Sequence, residues 1–196
     1  RFRSVIVFRS RHRSHHYFSE GPDHLTMSPG CADMGGMFIV PVPEEYEKLT
    51  PELLGEMSGW TVQNSGSCGQ EIPRREVVFP ENCDLLIVML GTNDLLQGAT
   101  AEEAGERMHH FLSGQNREKL LLLAPPLMTA GEWVTSDSLL RESRRLSRVY
   151  RELAGEMGIR FLDAAGWDIP MAYDGVHFTE EGHRLFAAQL YRELRT

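Results

Sequence analysis

An aspartate and a histidine three residues apart stand near the C-terminus, in the segment Asp174-Gly175-Val176-His177. A carboxylate at this spacing, across a glycine turn, can accept the Nδ1–H of the imidazole. Nε2 is then able to take a proton from a reacting hydroxyl. The pattern therefore predicts an oriented general base. A turn-capping aspartate beside a surface histidine is the alternative that these residues alone leave open.

Two further segments could stabilise negative charge that develops on an oxygen atom. Gly91-Thr92-Asn93-Asp94 directly follows an apolar run. A glycine there lets the backbone turn sharply, and the side-chain amide of Asn93 can donate to an oxyanion. The segment from Asn64 to Gly69 carries glycines among small residues, which favours exposed backbone N–H groups. Each segment by itself is also typical of an ordinary turn.

Five apolar runs must position these segments, and each is followed by a turn or a polar stretch. Short apolar runs of this kind are typical of buried parallel strands. Four of them are Val5–Phe8, Leu85–Leu90, Leu120–Ala124 and Ile159–Leu162, and Trp60–Gln63 is a weaker fifth. Helical patterns alternate with the runs. We therefore predict an α/β fold: a three-layer α/β/α sandwich with a parallel, flavodoxin-like sheet of about five strands and ligand sites beyond the carboxyl ends of the strands.

The helical patterns have recognisable starts. Thr50, followed by proline, fits an N-cap, and Thr100 with Glu103 makes a capping box. The stretch from 139 to 157 alternates apolar and charged residues at helical spacing, which predicts a helix with a solvated polar face. A last amphipathic helix is predicted from Thr179 onward. Its apolar positions are Leu185, Phe186, Leu190, Tyr191 and Leu194.

Length and composition are typical of one soluble domain. The 196 residues, 41% apolar and 24% charged, predict a single domain over residues 1–196. The net charge of −8 argues against nucleic acid as a partner and favours a small or neutral substrate.

The cysteines and the length of the apolar runs indicate in which cellular compartment the protein is expected. Cys31, Cys68 and Cys83 are too few and too widely spaced for a disulfide framework or a zinc site, which favours a reducing compartment. The longest apolar runs are too short to span a bilayer, and the first residues do not resemble a signal peptide. We expect a cytoplasmic protein without a membrane partner.

Taken in order, these segments resemble the SGNH (GDSL-like) hydrolase family from about Trp60 onward. The family carries its chemistry in four blocks: a serine after the first strand, a glycine after the second, an asparagine in a GxND motif after the third, and a final DxxH. The most specific match is the strand and motif from Asp84 to Leu95, and the segment from Asp174 to Gly182 is nearly as specific.

The resemblance implies a role for each matching residue. The N–H of Gly66 and the amide of Asn93 would donate to the oxyanion, while Asp174 would orient His177 as the base. No metal and no organic cofactor is implied.

The first block departs from the family pattern. No Gly-Asp-Ser occurs in the chain, and the first strand is followed by Arg-Ser-Arg-His-Arg-Ser. Ser10 is the serine nearest to the expected place, and Ser14 lies a turn further on. Arg9 and Arg11 would put β-carbons on a turn that the family builds with glycine. The alternatives to Ser10 are Ser14 and a lost nucleophile, and the composition of this stretch would also fit a local frameshift.

The resemblance implies a serine ester hydrolase that acts on a small-molecule acyl ester, whether short-chain, aryl or carbohydrate acetyl. Ser10 would form a covalent acyl-enzyme while His177 takes its proton. Two alternatives stay open. An acyltransferase could use the same site with another acceptor, and a non-catalytic ligand-binding protein could share the scaffold without a working serine.

Overall fold

The computed structural model describes the backbone of residues 4–9 and residues 48–66, 69–75, 77, 79 and 83–195. Five strands form one sheet: β1 (Ser4–Arg9), β2 (Thr61–Asn64), β3 (Leu85–Met89), β4 (Leu120–Ala124) and β5 (Arg160–Asp163). Every neighbouring pair is parallel, in the order β2-β1-β3-β4-β5. This is the flavodoxin-like order. The five predicted strands are confirmed, with ends shifted by at most one residue.

Five α-helices accompany the sheet in the described part of the chain. They are α1 (Thr50–Ser58), α2 (Thr92–Leu96), α3 (Ala101–Ser113), α4 (Asp137–Met157) and α5 (Glu180–Arg195). Short 3₁₀ turns span Arg117–Lys119 and Ala164–Gly166. None of these helices is both long enough and apolar enough to cross a bilayer.

The two faces of the sheet bury separate apolar cores. Successive side chains of a strand point to opposite faces. Accordingly Leu86 and Val88 of β3 pack with α3 and α4, whereas Leu85 and Ile87 pack with α1 and α5. Helices therefore cover both faces, and the predicted α/β/α sandwich is confirmed.

The helix starts agree with the sequence in one case and differ in another. Thr100 and Glu103 form the predicted capping box, each side chain bonding to the other's backbone N–H. Thr50 is instead the first residue of α1, and the N-cap position belongs to Leu49, without a side-chain bond. The Thr50 hydroxyl is used in a tertiary contact, since Oγ1 lies 2.9 Å from Nδ1 of His183 on α5.

The last helix follows its predicted pattern except at one position. Phe186, Leu190 and Leu194, spaced by four residues, face the sheet and are buried. Leu185 is 44% exposed, because it lies one residue, or about 100° of rotation, away from that stripe. Tyr191 is partly buried and packs edge-on against Trp60.

Candidate active site

The Asp174 carboxylate contacts the His177 imidazole as the spacing predicts. Oδ2 forms a hydrogen bond with Nδ1 of His177. Oδ1 accepts the backbone N–H groups of Val176 at 2.8 Å and of His177 at 2.9 Å. Gly175 between them has φ = 82°, a left-handed conformation that side chains disfavour. Both carboxylate oxygens are thus used, and one side chain fixes both the turn and the orientation of the imidazole.

The surroundings of Asp174 keep it ionised. Its side chain is only 7% exposed, and burial alone would raise its pKa. Hydrogen bonds from the side chain and backbone of His177, the positive charge of its imidazolium, and the N–H of Val176 together outweigh burial, so the pKa of Asp174 lies below its usual value. A negative charge is therefore held beside Nδ1, where it stabilises an imidazolium.

The loop that follows β4 holds this segment in place. The N–H of Thr129 donates to the Gly175 carbonyl at 3.0 Å, and the N–H of Trp133 donates to the Asp174 carbonyl at 3.1 Å. Gly131 permits the close approach, because a β-carbon there would lie 2.5 Å from the backbone of residues 174 and 175. The tertiary contact between two loops, rather than either loop alone, sets the position of the carboxylate.

An indole packs against the imidazole from the same loop. The rings of Trp133 and His177 have centroids 5.0 Å apart and an interplanar angle of 79°. The His177 side chain is 15% exposed, whereas Trp133 is 42% exposed. The sequence analysis missed Trp133, whose signal was faint: a tryptophan in the loop that follows a buried strand, two residues after a glycine.

Asn93 lies in the first turn of α2, just beyond the carboxyl end of β3, and Gly91 makes the sharp turn that the motif predicts. Gly91 has φ = 111° and serves as N-cap of α2. The Asn93 side chain is buried, and its Nδ2 donates to the Gln70 carbonyl at 2.9 Å. The neighbouring Asp94 is fully buried and accepts the N–H of Ile72 at 3.0 Å through Oδ2. The motif therefore anchors the segment that follows β2 to the end of β3.

Two residues that the sequence analysis did not single out support this motif. Arg107 on α3 forms a 2.8 Å ion pair with Oδ1 of Asp94. The fully buried hydroxyl of Tyr150 donates to the Leu90 carbonyl at 3.1 Å, and burial above all raises its pKa well above the usual value. An arginine at the edge of the apolar stripe of α3 was the available signal for Arg107. Nothing in the sequence distinguished Tyr150 from the other apolar residues of the helix predicted over residues 139–157.

Gly66 lies two residues beyond β2, and its N–H has an acceptor already. It donates to Oδ1 of Asn64 at 3.1 Å, closing a small turn at the end of the strand. An oxyanion that binds this N–H would either share the donor with Oδ1 of Asn64 or displace that oxygen from it.

The sheet order places the predicted oxyanion donors on one edge. Gly66 follows β2 and Asn93 follows β3, and β1 lies between these two strands. Two strand spacings, about 10 Å, separate the strands that lead to them. Arg9, the last residue of β1, pairs with Met89 at the end of β3. Ser10 and Ser14 lie outside the described residues.

The chain thus combines a flavodoxin-like sandwich with a carboxylate-bound histidine, His177, and a buried asparagine, Asn93, just beyond β3. A family model described as the GDSL-like lipase/acylhydrolase family matches residues 34–185, and the chain belongs to this family of carboxylic-ester hydrolases. The match begins after Ser10. No curated protein matches the chain significantly.

Solved structures agree on the fold. The native aryl esterase of M. smegmatis superposes with a TM-score of 0.68, at 18% identity over 98% of each chain. Est24, a carbohydrate acetylesterase from Sinorhizobium meliloti, gives 0.69, also at 18% identity over 98% of each chain. The lipase/acylhydrolase from Enterococcus faecalis gives 0.67 at 19% identity, covering 98% of this chain and 95% of that one. At these identities the likeness concerns the fold.

Proposed function

We propose that the protein hydrolyses small acyl esters through a covalent acyl-enzyme, with His177 as the general base and Asp174 as its orienting carboxylate. The observation that carries this proposal is the geometry of Asp174, which binds Nδ1 through one oxygen and two backbone N–H groups through the other. Such a carboxylate holds one tautomer of the imidazole and stabilises the imidazolium that forms when Nε2 takes a proton.

Ser10 is our proposed nucleophile, because it directly follows the last residue of the strand that lies between β2 and β3. Its oxygen would attack the ester carbonyl while its proton passes to Nε2 of His177. The resulting oxyanion would accept hydrogen bonds from Asn93 and Gly66. Collapse of the tetrahedral intermediate would release the alcohol with the proton from His177, and water activated by His177 would then release the acid.

The Asn93 amide would donate to the oxyanion from the start of α2, where its Nδ2 also donates to the Gln70 carbonyl. The N–H of Gly66 could reach an oxyanion by sharing with the Asn64 oxygen. Aryl esters and carbohydrate acetates are suitable substrate classes, since enzymes of similar fold carry those names.

The base is tested by replacing His177 with alanine and measuring the hydrolysis of p-nitrophenyl acetate. We expect kcat to fall by about 10⁴–10⁶-fold, because the variant lacks the general base that takes the proton of the nucleophile. His109→Ala, on the exposed face of α3, is the matched control and should retain full activity. Undiminished turnover in the His177 variant would refute the proposal.

The nucleophile is tested separately by labelling with a fluorophosphonate and mapping the modified peptide. We expect the label on Ser10, and its loss in Ser10→Ala. A label on Ser14 would move the nucleophile and leave the base unchanged. No label, together with no turnover, would favour the non-catalytic alternative.

The oxyanion role of Asn93 has its own control. Asn93→Ala should lower kcat by about 10²–10³-fold, the usual effect of losing one such donor. Thr100→Ala removes a helix cap and should lower stability by about 1 kcal/mol without lowering kcat. If both variants lose kcat in proportion to their loss of stability, Asn93 has a structural role only.

A further inference from the structure

Trp133 contacts both residues of the Asp174–His177 pair. Its indole packs against the His177 imidazole with ring centroids 5.0 Å apart and an interplanar angle of 79°, the arrangement of an edge-to-face aromatic pair. Its backbone N–H donates to the Asp174 carbonyl at 3.1 Å. A residue that lies more than 40 positions earlier in the chain therefore adjoins the proposed base and the residue that orients it.

The hydrogen bond between Asp174 and Nδ1 of His177 leaves the plane of the imidazole incompletely fixed. The χ2 torsion of a histidine is broad, so the ring turns readily about its Cβ–Cγ bond. A hydrogen bond weakens steeply only when its angle falls toward about 120°, and it therefore tolerates rotations that displace Nε2. A second ring in van der Waals contact, nearly perpendicular to the imidazole, opposes this rotation because its atoms lie in the way.

The loop that carries the indole is itself held firmly. Gly131 and Val134 exchange backbone hydrogen bonds of 3.3 and 3.2 Å, which close a tight turn around Trp133. Val134 is buried, and it belongs to the same apolar core as Val176, the neighbour of His177. The backbone segments that carry the two rings are therefore anchored in one core.

The proposed reaction uses the base twice. Nε2 takes the proton of the nucleophile during acylation and the proton of water during deacylation. Each transfer needs Nε2 within hydrogen-bond reach of an oxygen atom. A displacement of about 1 Å costs about 10²-fold in rate. A residue that holds the imidazole in place therefore serves both steps equally, whichever alcohol the ester carries.

We propose that Trp133 is a positioning residue for the base, and that its indole holds the plane of the His177 imidazole so that Nε2 meets the reacting oxygen. This inference rests on the proposed function of His177, and it assigns the indole no contact with the substrate. When acylation and deacylation slow by the same factor, kcat of an acyl-enzyme reaction falls by that factor and KM is unchanged.

The test measures kcat and KM for ethyl acetate and phenyl acetate in Trp133→Ala and Trp133→Phe. Trp60→Ala is the matched control, because Trp60 also packs edge-on against a ring, that of Tyr191, with centroids 5.7 Å apart at 69°. Trp60 precedes the first residue of β2 and so lies at the opposite edge of the sheet from the ends of the strands that lead to the site. Thermal unfolding of each variant gives the temperature range in which all of them are folded.

We expect Trp133→Ala to lower kcat by about 10–10²-fold on both esters and to leave KM unchanged. Trp133→Phe keeps an aromatic ring and should retain more of kcat than Trp133→Ala does. Trp60→Ala should leave kcat unchanged. The rate of labelling by a fluorophosphonate should fall in Trp133→Ala by a factor similar to that for kcat, because the same proton transfer activates the nucleophile.

Three outcomes would overturn the inference. In the first, Trp133→Ala keeps the kcat of the wild type on both esters. In the second, its loss is confined to phenyl acetate or lies in KM, which would assign the indole to the substrate. In the third, Trp60→Ala loses as much kcat as Trp133→Ala, which would indicate a general effect of lost packing. Each leaves the ester hydrolase standing.

Failure of the proposed function is recognised separately, by full activity in His177→Ala or by no turnover of any ester in the wild type.

Discussion

The guanidinium of Arg107 lies 2.8 Å from the fully buried carboxylate of Asp94, one residue after the candidate oxyanion donor Asn93. The other oxygen of the same carboxylate accepts the N–H of Ile72. The Asp94 carboxylate, which lies in α2, thus links this helix both to α3 and to the segment after β2. The turn that carries Asn93 is therefore held by tertiary contacts as well as by its own backbone.

Arg107→Ala should lower the free energy of unfolding by about 1–3 kcal/mol, because it leaves a buried carboxylate oxygen without its donor. Arg74→Ala is the control. The Arg74 side chain is 71% exposed and lies 3.7 Å from the Glu71 carboxylate, a long ion pair in solvent, so removing it should lower the free energy of unfolding by about 0–1 kcal/mol. Urea unfolding of both variants measures the difference. Equal effects would show that the buried pair has no special role.

The pKa of Asp174 predicts how stability depends on pH. Its folded-state pKa lies below that of an unfolded aspartate, about 3.9, so the carboxylate stabilises the fold at neutral pH. This contribution is complete above the unfolded pKa and is lost as pH falls through the lower, folded pKa. Asp174→Asn should therefore be less stable than the wild type at about pH 7 and should approach it progressively as the pH falls below the unfolded pKa.

Urea unfolding at a series of pH values measures this convergence. Asp168→Asn, at an exposed position, is the control and should differ from the wild type by less than about 0.5 kcal/mol throughout. A stability difference for Asp174→Asn that stays constant with pH would contradict the prediction.

Gly131→Ala should impair activity by displacing the Asp174 segment, which packs against this glycine. The new β-carbon would lie 2.5 Å from the backbone of Asp174 and Gly175, so one loop must move. We expect a loss of about 1–3 kcal/mol in stability. Displacing the orienting carboxylate by about 1 Å would lower kcat by about 10²-fold. Gly166→Ala, with nothing within 4 Å of its β-carbon, should change neither quantity.

Gly91 and Tyr150 should behave as a coupled pair. A β-carbon on Gly91 would lie 2.5 Å from the Tyr150 hydroxyl, and φ there is 111°. Gly91→Ala should therefore be destabilising, and Tyr150→Phe should relieve part of that cost, with a coupling energy of about 0.5–3 kcal/mol. Gly98→Ala separates the backbone strain from the clash, because φ is 91° there and the space is open. Additive effects of Gly91→Ala and Tyr150→Phe in a double-mutant cycle would argue against the contact.

Strands and most helices could be predicted because their signals are local. The apolar runs of β3 and β4 lie in the middle of the sheet, where both faces are buried, so an unbroken run such as Leu120–Ala124 was enough. Thr50 was misplaced as a cap because its hydroxyl bonds a histidine 133 residues away. No local pattern contains that partner.

The sequence alone predicted the Asp174–His177 pairing, because both residues lie in one short turn whose glycine can adopt the left-handed conformation that the turn requires. It also determined the position of Asn93 at the end of β3, where a glycine ends an apolar strand. The fold class and the resemblance to the family follow from the same local features, whereas the strand order comes from the tertiary structure.

Only the tertiary structure decided what surrounds these residues. Arg107, Tyr150 and Trp133 reach the site from α3, α4 and the loop after β4, and each is far from its partner along the chain. Such contacts depend on how helices and loops pack on the sheet, which local spacing does not encode. The Asp174–His177 pair could thus be read from four consecutive residues, whereas the carboxylate's position, the anchoring of Asn93 and the indole packed against the imidazole required the folded chain.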